Sequence, residues 1–258
     1  MEIVVSNLPY QGLYTNRLIK LPHDIGIEIY SEAGSEFWWD RLIPKLMDKR
    51  TGPLTVHGPY QNIDLSSPEL DFESVKDFYV WNYKLCQKYG VKHCVCHPYS
   101  YTPIHKMTLE EVSVRKNVCR ERVEELNLLA AEYNVELLVE NMAEKDGLLS
   151  QQDFADLFLP VNNLNFLIDT GHMNIAGWNM QKMFSELGNR IHGYHINDNF
   201  GDGDSHLMVG EGSIDWLGFF TLYKQYTPTA TLVCEYAKGT IEELVASVAL
   251  IRNYLETQ

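Results

Sequence analysis

The sequence lacks any apolar run near the roughly 20 residues that a membrane-spanning helix requires. Its first residues, Met1 to Val5, include no basic segment ahead of an apolar one, as a secretory leader would. No linker, repeat or low-complexity segment divides the chain. We therefore expect one domain over residues 1–258, located in the cytoplasm and without a membrane partner.

Basic residues are scarce, with 21 Lys and Arg against 35 Asp and Glu and a formal net charge of −14. Such a surface repels the phosphate backbone of nucleic acids, although a local basic patch remains compatible with it. The composition therefore disfavours nucleic acid as a partner without ruling it out. It leaves the oligomeric state open, a homo-oligomer included.

The five cysteines are an odd number in a chain too long to need disulfide staples. Cys94 and Cys96 flank Val95, so in a strand they point to the same side. A soft metal site is one interpretation of this pair. Two small core residues are the favoured one.

Short runs rich in β-branched residues alternate with longer amphipathic stretches, which is typical of strands joined by crossover helices in a parallel sheet. Eight such runs are present, the number in a (β/α)8 barrel, and 258 residues suit one barrel. The predicted strands are Ile3–Ser6, Ile25–Tyr30, Leu54–His57, Lys92–His97, Glu136–Glu140, Asn165–Asp169, Ile191–Ile196 and Thr231–Glu235.

Capping signals predict where three of the helices begin and end. Ser67, followed by Pro68, predicts a helix that closes at Gly90. The capping-box sequences are Thr108–Glu111, ahead of a helix to about Asn134, and Thr240–Glu243, ahead of a helix over Ile241 to Leu255.

Side chains that can bind metal stand where six of the predicted strands end, or in the loop that follows. In a parallel barrel these strand ends meet at one face, and ionised groups there are rarely buried without a partner. A shared cation is the simplest partner for so many. The set is His57, His97, Glu140, Asp169, His172, His195, Asp204, His206 and Glu235.

The set mixes imidazole with carboxylate and contains no thiolate, which suits Zn, Mn, Co or Fe better than Mg. Nine ligands exceed what one ion can bind, so a single ion would leave several residues to orient ligands or contact substrate. We therefore expect a divalent metal site with one to three ions.

Aromatic residues also follow the early strands, and one further carboxylate, Glu28, lies near the end of the second strand. The rings could stack on a sugar or on an unpaired base, or pack beneath loops. They are Tyr10, Tyr14, Trp38, Trp39, Tyr60, Tyr99 and Tyr101. Glu28 is either a carboxylate that contacts and orients a metal ligand or a solvated residue at the strand end. Residues 200–206 include no Lys or Arg, which disfavours a phosphorylated substrate at that side.

Several motifs together resemble those of the xylose isomerase-like barrel superfamily. They are His57-Gly58-Pro59-Tyr60, His97-Pro98, Val139-Glu140-Asn141, Asp169-Thr170-Gly171-His172, His195-Ile196-Asn197-Asp198, Asp204-Ser205-His206, Gly210-Glu211-Gly212 and Glu235. The superfamily includes sugar isomerases, sugar epimerases, inosose dehydratase-like proteins and endonuclease IV. The resemblance covers essentially the whole chain.

The resemblance implies two alternative ligand sets. In the sugar isomerases and epimerases, residues at the positions of Glu140, Asp169, His195 and Glu235 hold one divalent metal, and the counterpart of His172 contacts substrate. In endonuclease IV, the counterparts of His57, His97, His172, Asp204 and His206 join those four in a three-zinc cluster. This sequence contains all nine, but Ser205 replaces an arginine of endonuclease IV, and residues 141–146 include the acidic Glu144 and Asp146.

The leading hypothesis is a divalent-metal-dependent isomerase or epimerase of a small sugar or polyol-like substrate. Glu140 and Glu235 would act as acid and base around a metal-stabilised enediolate. The expected substrate contacts are His172, His57, His97 and Tyr60. The alternative is endonuclease IV-like hydrolysis of a phosphodiester at abasic DNA, and a third hypothesis is an inosose dehydratase-like lyase.

Overall fold

The computed structural model describes residues 2–31, 36–100 and 104–256, so Tyr101 lies outside the described residues. Eight strands pair in chain order, every pair is parallel, and β8 returns to β1. The strands are β1 Ile3–Ser6, β2 Gly26–Tyr30, β3 Leu54–His57, β4 His93–Cys96, β5 Glu136–Glu140, β6 Asn165–Asp169, β7 Ile191–Ile196 and β8 Thr231–Cys234. This closed barrel confirms the predicted single-domain (β/α)8 fold.

Helices cross over between successive strands and cover the outside of the barrel. They are α1 Glu36–Leu46, α2 Phe72–Tyr89, α3 Leu109–Glu132, α4 Gln151–Phe158, α5 Thr170–Ile175, α6 Met180–Leu187, α7 Trp216–Tyr226 and α8 Ile241–Glu256. The first crossover contains 3-10 turns instead, Leu8–Tyr10 and Gly12–Lys20. No described helix combines the length and the hydropathy that crossing a membrane would need.

The capping boxes at Thr108 and Thr240 form as predicted, and Gly90 ends α2 in the left-handed region at φ 68°. The predicted start of α2 at Ser67 is wrong. Ser67 and Pro68 instead open a turn, in which the Leu70 amide donates to the Ser67 carbonyl. The helix starts at Phe72, where the Asp71 side chain accepts from the amide of Ser74.

The interior of the barrel is layered along its axis. Val95, Leu138 and Leu167 form a small apolar cluster of their own, separate from the large core between strands and helices. We call these three residues the apolar plug. Because alternate residues of a strand face the same side, Glu136 and Glu140 flank Leu138 on the inward face of β5. Polar side chains therefore occupy the barrel on both sides of the plug.

Cys94 and Cys96 belong to the main core, where both are buried as free thiols. Burial raises the pKa of the Cys96 thiol to about 12. No group of metal ligands found among the described residues includes a cysteine. The pair therefore packs as two small core residues.

Candidate metal centre

The barrel brings all nine predicted ligands together at the carboxyl ends of its strands. They form three groups, and in each group one ligand atom per residue lies within 4.8 Å of the others. The groups are Glu140, Asp169, His195 and Glu235; His57, His97 and Glu140; and His172, Asp204 and His206. Glu140 belongs to two of them.

The group of four comes from β5 to β8 and is centred on one imidazole nitrogen. His195 Nδ1 lies 3.2 Å from Glu140 Oε1, 3.5 Å from Glu235 Oε1 and 3.9 Å from Asp169 Oδ2. All four side chains are at most 2% exposed. Three buried carboxylates around one nitrogen require a positive charge, so these residues fit a divalent cation.

Glu28 orients His195 from behind. Its Oε1 lies 3.0 Å from His195 Nε2, and its Oε2 accepts a hydrogen bond from Thr55 Oγ1. A carboxylate in this position accepts a hydrogen bond from Nε2–H, which leaves Nδ1 as the nitrogen available to a metal. Glu28 is fully buried, so the structure decides between the two interpretations of the sequence and excludes a solvated strand end.

Asp169 is held by the start of α5 and by Asn197, the residue after β7. Its Oδ1 accepts from the amide of His172 at 2.7 Å, and its Oδ2 accepts from Asn197 Nδ2 at 2.6 Å. Gly171 makes this approach possible, because a Cβ there would fall 1.9 Å from Asn197 Oδ1. Burial raises the pKa of Asp169 to about 7.

The outer histidines share one arrangement. Nδ1 of His57, His172 and His206 each lies against a backbone carbonyl, of Gly58, Asn141 and Glu235, at 2.8–3.0 Å. A carbonyl can only accept, so each Nδ1 donates, and Nε2 is the nitrogen that faces the centre and would bind a metal after losing its proton. His57 Nε2 lies 3.2 Å from His97 Nε2, and Asp204 Oδ2 lies 3.3 Å from His172 Nε2 and 3.2 Å from His206 Nε2.

Imidazoles and carboxylates at the centre shift one another's pKa values. Burial opposes the charged form of His195, but Glu235 and Glu140 raise its pKa well above its usual range. Burial likewise opposes ionisation of Glu140, yet His195 and His97 hold its pKa well below the usual range. The carboxylates thus favour bound positive charge, which either protons or metal ions can supply.

Tyr30, at the end of β2, joins the centre, although nothing in the sequence singled it out. Its hydroxyl donates to Glu235 Oε1, and its ring stacks on His57 with centroids 4.4 Å apart. Tyr60 meets the Tyr30 ring edge-on at 5.6 Å. The alternation of Gly26, Glu28 and Tyr30 along β2 is the sequence signal that places both polar side chains inward.

The other aromatic residues divide between packing and the surface. Tyr10 and Tyr99 are buried, and the Tyr10 hydroxyl donates to the Gly239 carbonyl. Tyr14 is 61% exposed. Trp38 and Trp39 lie on α1 and line a cavity with Tyr30 and Tyr60.

The structure is thus a (β/α)8 barrel with histidines and carboxylates gathered at its strand ends, where they could hold metal ions. The chain belongs to the family described as xylose isomerase-like TIM barrel, whose sequence profile matches residues 26–254. An uncharacterized protein of Methanocaldococcus jannaschii is 27% identical over 166 residues, which are 64% of this chain. The match spans 63% of that relative's length.

Solved structures share the fold at low sequence identity. The D-psicose 3-epimerase of Clostridium cellulolyticum, crystallised with D-tagatose, aligns over 99% of this chain and 100% of its own, with a TM-score of 0.80 and 19% identity. The IOLI protein with a binding zinc atom aligns over 99% and 98%, with a TM-score of 0.77 and 17% identity. At these identities the likeness establishes the fold.

Proposed function

We propose that this protein is a divalent-metal-dependent isomerase or epimerase of a small sugar or polyol-like substrate. The observation that carries the proposal is the buried group of four, in which Glu140 and Glu235 flank Asp169 and His195 along four consecutive strands. The D-psicose 3-epimerase and IOLI folds support it, since the first is named for sugar epimerisation and the second binds zinc.

The residues divide the chemistry between them. A divalent cation at the group of four would act as a Lewis acid on two adjacent substrate oxygens. Glu140, buried at one side of the group of four, would take a proton from the reacting carbon. Glu235 would return a proton to the enediolate, and His172 would bind a substrate hydroxyl.

Hydrogen exchange at carbon tests this proposal without knowledge of the natural sugar. The protein, loaded in turn with Zn, Mn, Co and Fe, is incubated in D2O with free and phosphorylated ketoses and aldoses. We expect deuterium to enter at the carbon next to the carbonyl of at least one sugar. Full exchange in both Glu140→Gln and Glu235→Gln would contradict the assigned roles.

A second candidate function is phosphodiester hydrolysis at abasic DNA. The observation that favours it is the presence of three ligand groups, two of which share Glu140; together they could hold up to three ions. The net charge of −14 and the acidic Glu144 and Asp146 in the loop after Glu140 weigh against a DNA partner. An abasic duplex separates the two functions, because EDTA-sensitive incision at a rate above that of sugar exchange would favour the nuclease.

A dehydratase activity would use the same base and the same cation. Product mass distinguishes it when the same sugars are incubated in H2O, since a lyase releases water and an isomerase or epimerase leaves the mass of the sugar unchanged. We expect unchanged mass.

A further inference from the structure

The two carboxylates that flank the group of four have different surroundings. Among the described residues, the four hydrogen-bond and ion-pair partners of Glu140 are all imidazoles. Glu235 has two imidazole neighbours, His195 at 3.5 Å and His206 at 3.4 Å, and one hydroxyl donor, that of Tyr30. The two glutamates are therefore not equivalent, and the difference between them is a tyrosine.

Tyr30 reaches Glu235 across the inside of the barrel. It ends β2, whereas Glu235 follows β8, so β1 lies between them. Ser6 of β1 pairs in register with Glu28 and faces inward with it. A small residue on the intervening strand lets the longer Tyr30 side chain cross to Glu235.

Tyr30 is itself held on three sides. Its amide donates to Asn7 Oδ1 at 2.8 Å, and its ring stacks on His57 with centroids 4.4 Å apart and planes 21° apart. The Tyr60 ring packs edge-on against it at 5.6 Å. A side chain locked by its own packing can fix the direction of the carboxylate that it contacts.

The hydroxyl of Tyr30 and the ring of His206 meet opposite oxygens of Glu235. Tyr30 donates to Oε1, which also lies 3.5 Å from His195 Nδ1, while Oε2 lies 3.4 Å from His206 Nδ1. Oε1 is therefore the oxygen that faces the group of four. A carboxylate free to rotate could present either oxygen to a cation, and the hydrogen bond to Oε1 selects one orientation.

We propose that Tyr30 is a positioning residue for Glu235, which it holds in one orientation both as a metal ligand and as an acid-base group. The inference rests on the proposed isomerase or epimerase function and concerns the same site. It predicts an asymmetry, because loss of the Tyr30 hydroxyl should impair proton transfer by Glu235 and spare proton transfer by Glu140.

Zinc affinity tests this role without any sugar. Tyr30→Phe keeps the ring that stacks on His57 and removes only the hydroxyl. Groups that orient metal ligands typically contribute about 10- to 100-fold to metal affinity, so we expect Tyr30→Phe to weaken zinc binding about tenfold. Calorimetric titration of the metal-free full chain measures the change.

Tyr236→Phe is the matched control. Tyr236 follows Glu235 directly and is fully buried, and its hydroxyl forms a hydrogen bond of 2.7 Å with Ser247 Oγ, away from the metal centre. This variant also loses a buried hydroxyl beside the same glutamate, so it reports the effect of lost stability alone. We expect its zinc affinity to equal that of the unmodified protein.

A double-mutant cycle shows whether Tyr30 acts through Glu235. In a Glu235→Gln background the carboxylate is already absent, so adding Tyr30→Phe should change zinc affinity by less than about twofold. A further tenfold loss in that background would overturn the inference, as would unchanged zinc affinity in Tyr30→Phe alone.

Deuterium exchange tests the asymmetry between the two glutamates. D-Fructose and D-psicose differ only in configuration at carbon 3, so they present that hydrogen to opposite faces of the site and to different glutamates. At saturating zinc, we expect Tyr30→Phe to slow exchange from one of the two sugars about tenfold and to leave the other within about twofold. Equal slowing of both sugars would contradict a role confined to Glu235.

The two measurements separate failure of this inference from failure of the proposed function. Exchange by the unmodified protein, combined with unchanged zinc affinity and unchanged exchange in Tyr30→Phe, would refute the role of Tyr30 and leave the isomerase or epimerase standing. Weaker zinc binding in Tyr30→Phe, with no exchange into any sugar by the unmodified protein, would retain Tyr30 as a residue that positions a metal ligand and refute the function.

Discussion

The two ends of the barrel interior both carry charged side chains, but these are neutralised differently. At the amino-terminal end, Glu136 has partners of its own, with His192 Nδ1 at 2.7 Å and the Asn165 amide donating to the same carboxylate. At the carboxyl-terminal end, Glu140 is shared by four histidines whose nitrogens lie within 3.5 Å of it. They are His57, His97, His172 and His195. A self-sufficient ion pair serves stability, whereas crowded ligands indicate a site for a further charge.

The strongest test of this difference compares two glutamates on the same strand. Glu140→Gln should lower the rate of sugar hydrogen exchange at least 100-fold, because general acid-base groups typically contribute 10²–10⁴. Glu136→Gln, on the same inward face of β5, should stay within about twofold of the unmodified protein. Comparable losses in both variants would show that β5 is merely sensitive to substitution.

Metal binding should stabilise the protein through the residues at the carboxyl-terminal end of the barrel and not through Glu136. Zinc at 100 times its dissociation constant adds about 2.7 kcal/mol to the free energy of unfolding, which raises Tm by about 5–10 °C in a chain of this size. We expect that rise after zinc is added to EDTA-treated protein, measured by scanning calorimetry. Glu136→Gln should keep the rise, and Glu140→Gln should lose most of it.

Zinc affinity should increase with pH. Neighbouring carboxylates outweigh burial and raise the pKa of His206 to about 9 and that of His195 well above its usual range. Metal binding must displace those protons, so the apparent association constant should rise by about tenfold per pH unit for each proton released, between pH 6 and pH 8. Calorimetric titration in buffers of different ionisation enthalpy counts the protons. A zinc association constant that does not change with pH would contradict the raised pKa values of these histidines.

The smallest effect is expected at the ion pair of the amino-terminal end. The hydrogen bond to Glu136 raises the pKa of His192. The resulting contribution to the free energy of unfolding is complete below about pH 6.5 and is lost as pH rises through the pKa of His192 in the folded protein. Burial tends to raise the pKa of Glu136, but His192 lowers it. The resulting contribution to the free energy of unfolding is present above about pH 4.5 and is lost as pH falls through the pKa of Glu136 in the folded protein.

His192→Gln should therefore destabilise the protein most near pH 5.5 and less at pH 8. Both side chains are partly exposed, so the expected cost is below about 1 kcal/mol. Urea midpoints at the two pH values measure it. A larger cost at pH 8 than at pH 5.5 would contradict the assignment.

The sequence allowed the fold to be predicted because strand periodicity and strand-end chemistry agree. Predicted and observed strands differ by at most one residue at either end. The predicted start of α2 at Ser67 was wrong because serine before proline favours a turn as much as a helix start. Asp71 is an equally good N-cap residue, and the helix begins after it. Local signals alone do not choose between adjacent caps.

The sequence allowed prediction of the site residues that end strands, but less so of those that lie within a strand or show no polar pattern. Glu28 stands between Ile27 and Ile29, and only the barrel brings it to His195, 167 residues away. Tyr30 reads as an ordinary aromatic strand residue until its hydroxyl meets Glu235. Alternation along β2 turns both side chains inward, but which residues they contact depends on how the barrel closes, and sequence spacing does not encode that.

The apolar plug has a practical consequence for protein engineering. Glu136 and Glu140 stand four residues apart on a strand, about 13 Å, with Leu138 between them. Substitutions at that separation usually add independently. Heat tolerance could therefore be improved around Glu136 and His192 without the loss of activity that often accompanies stabilisation.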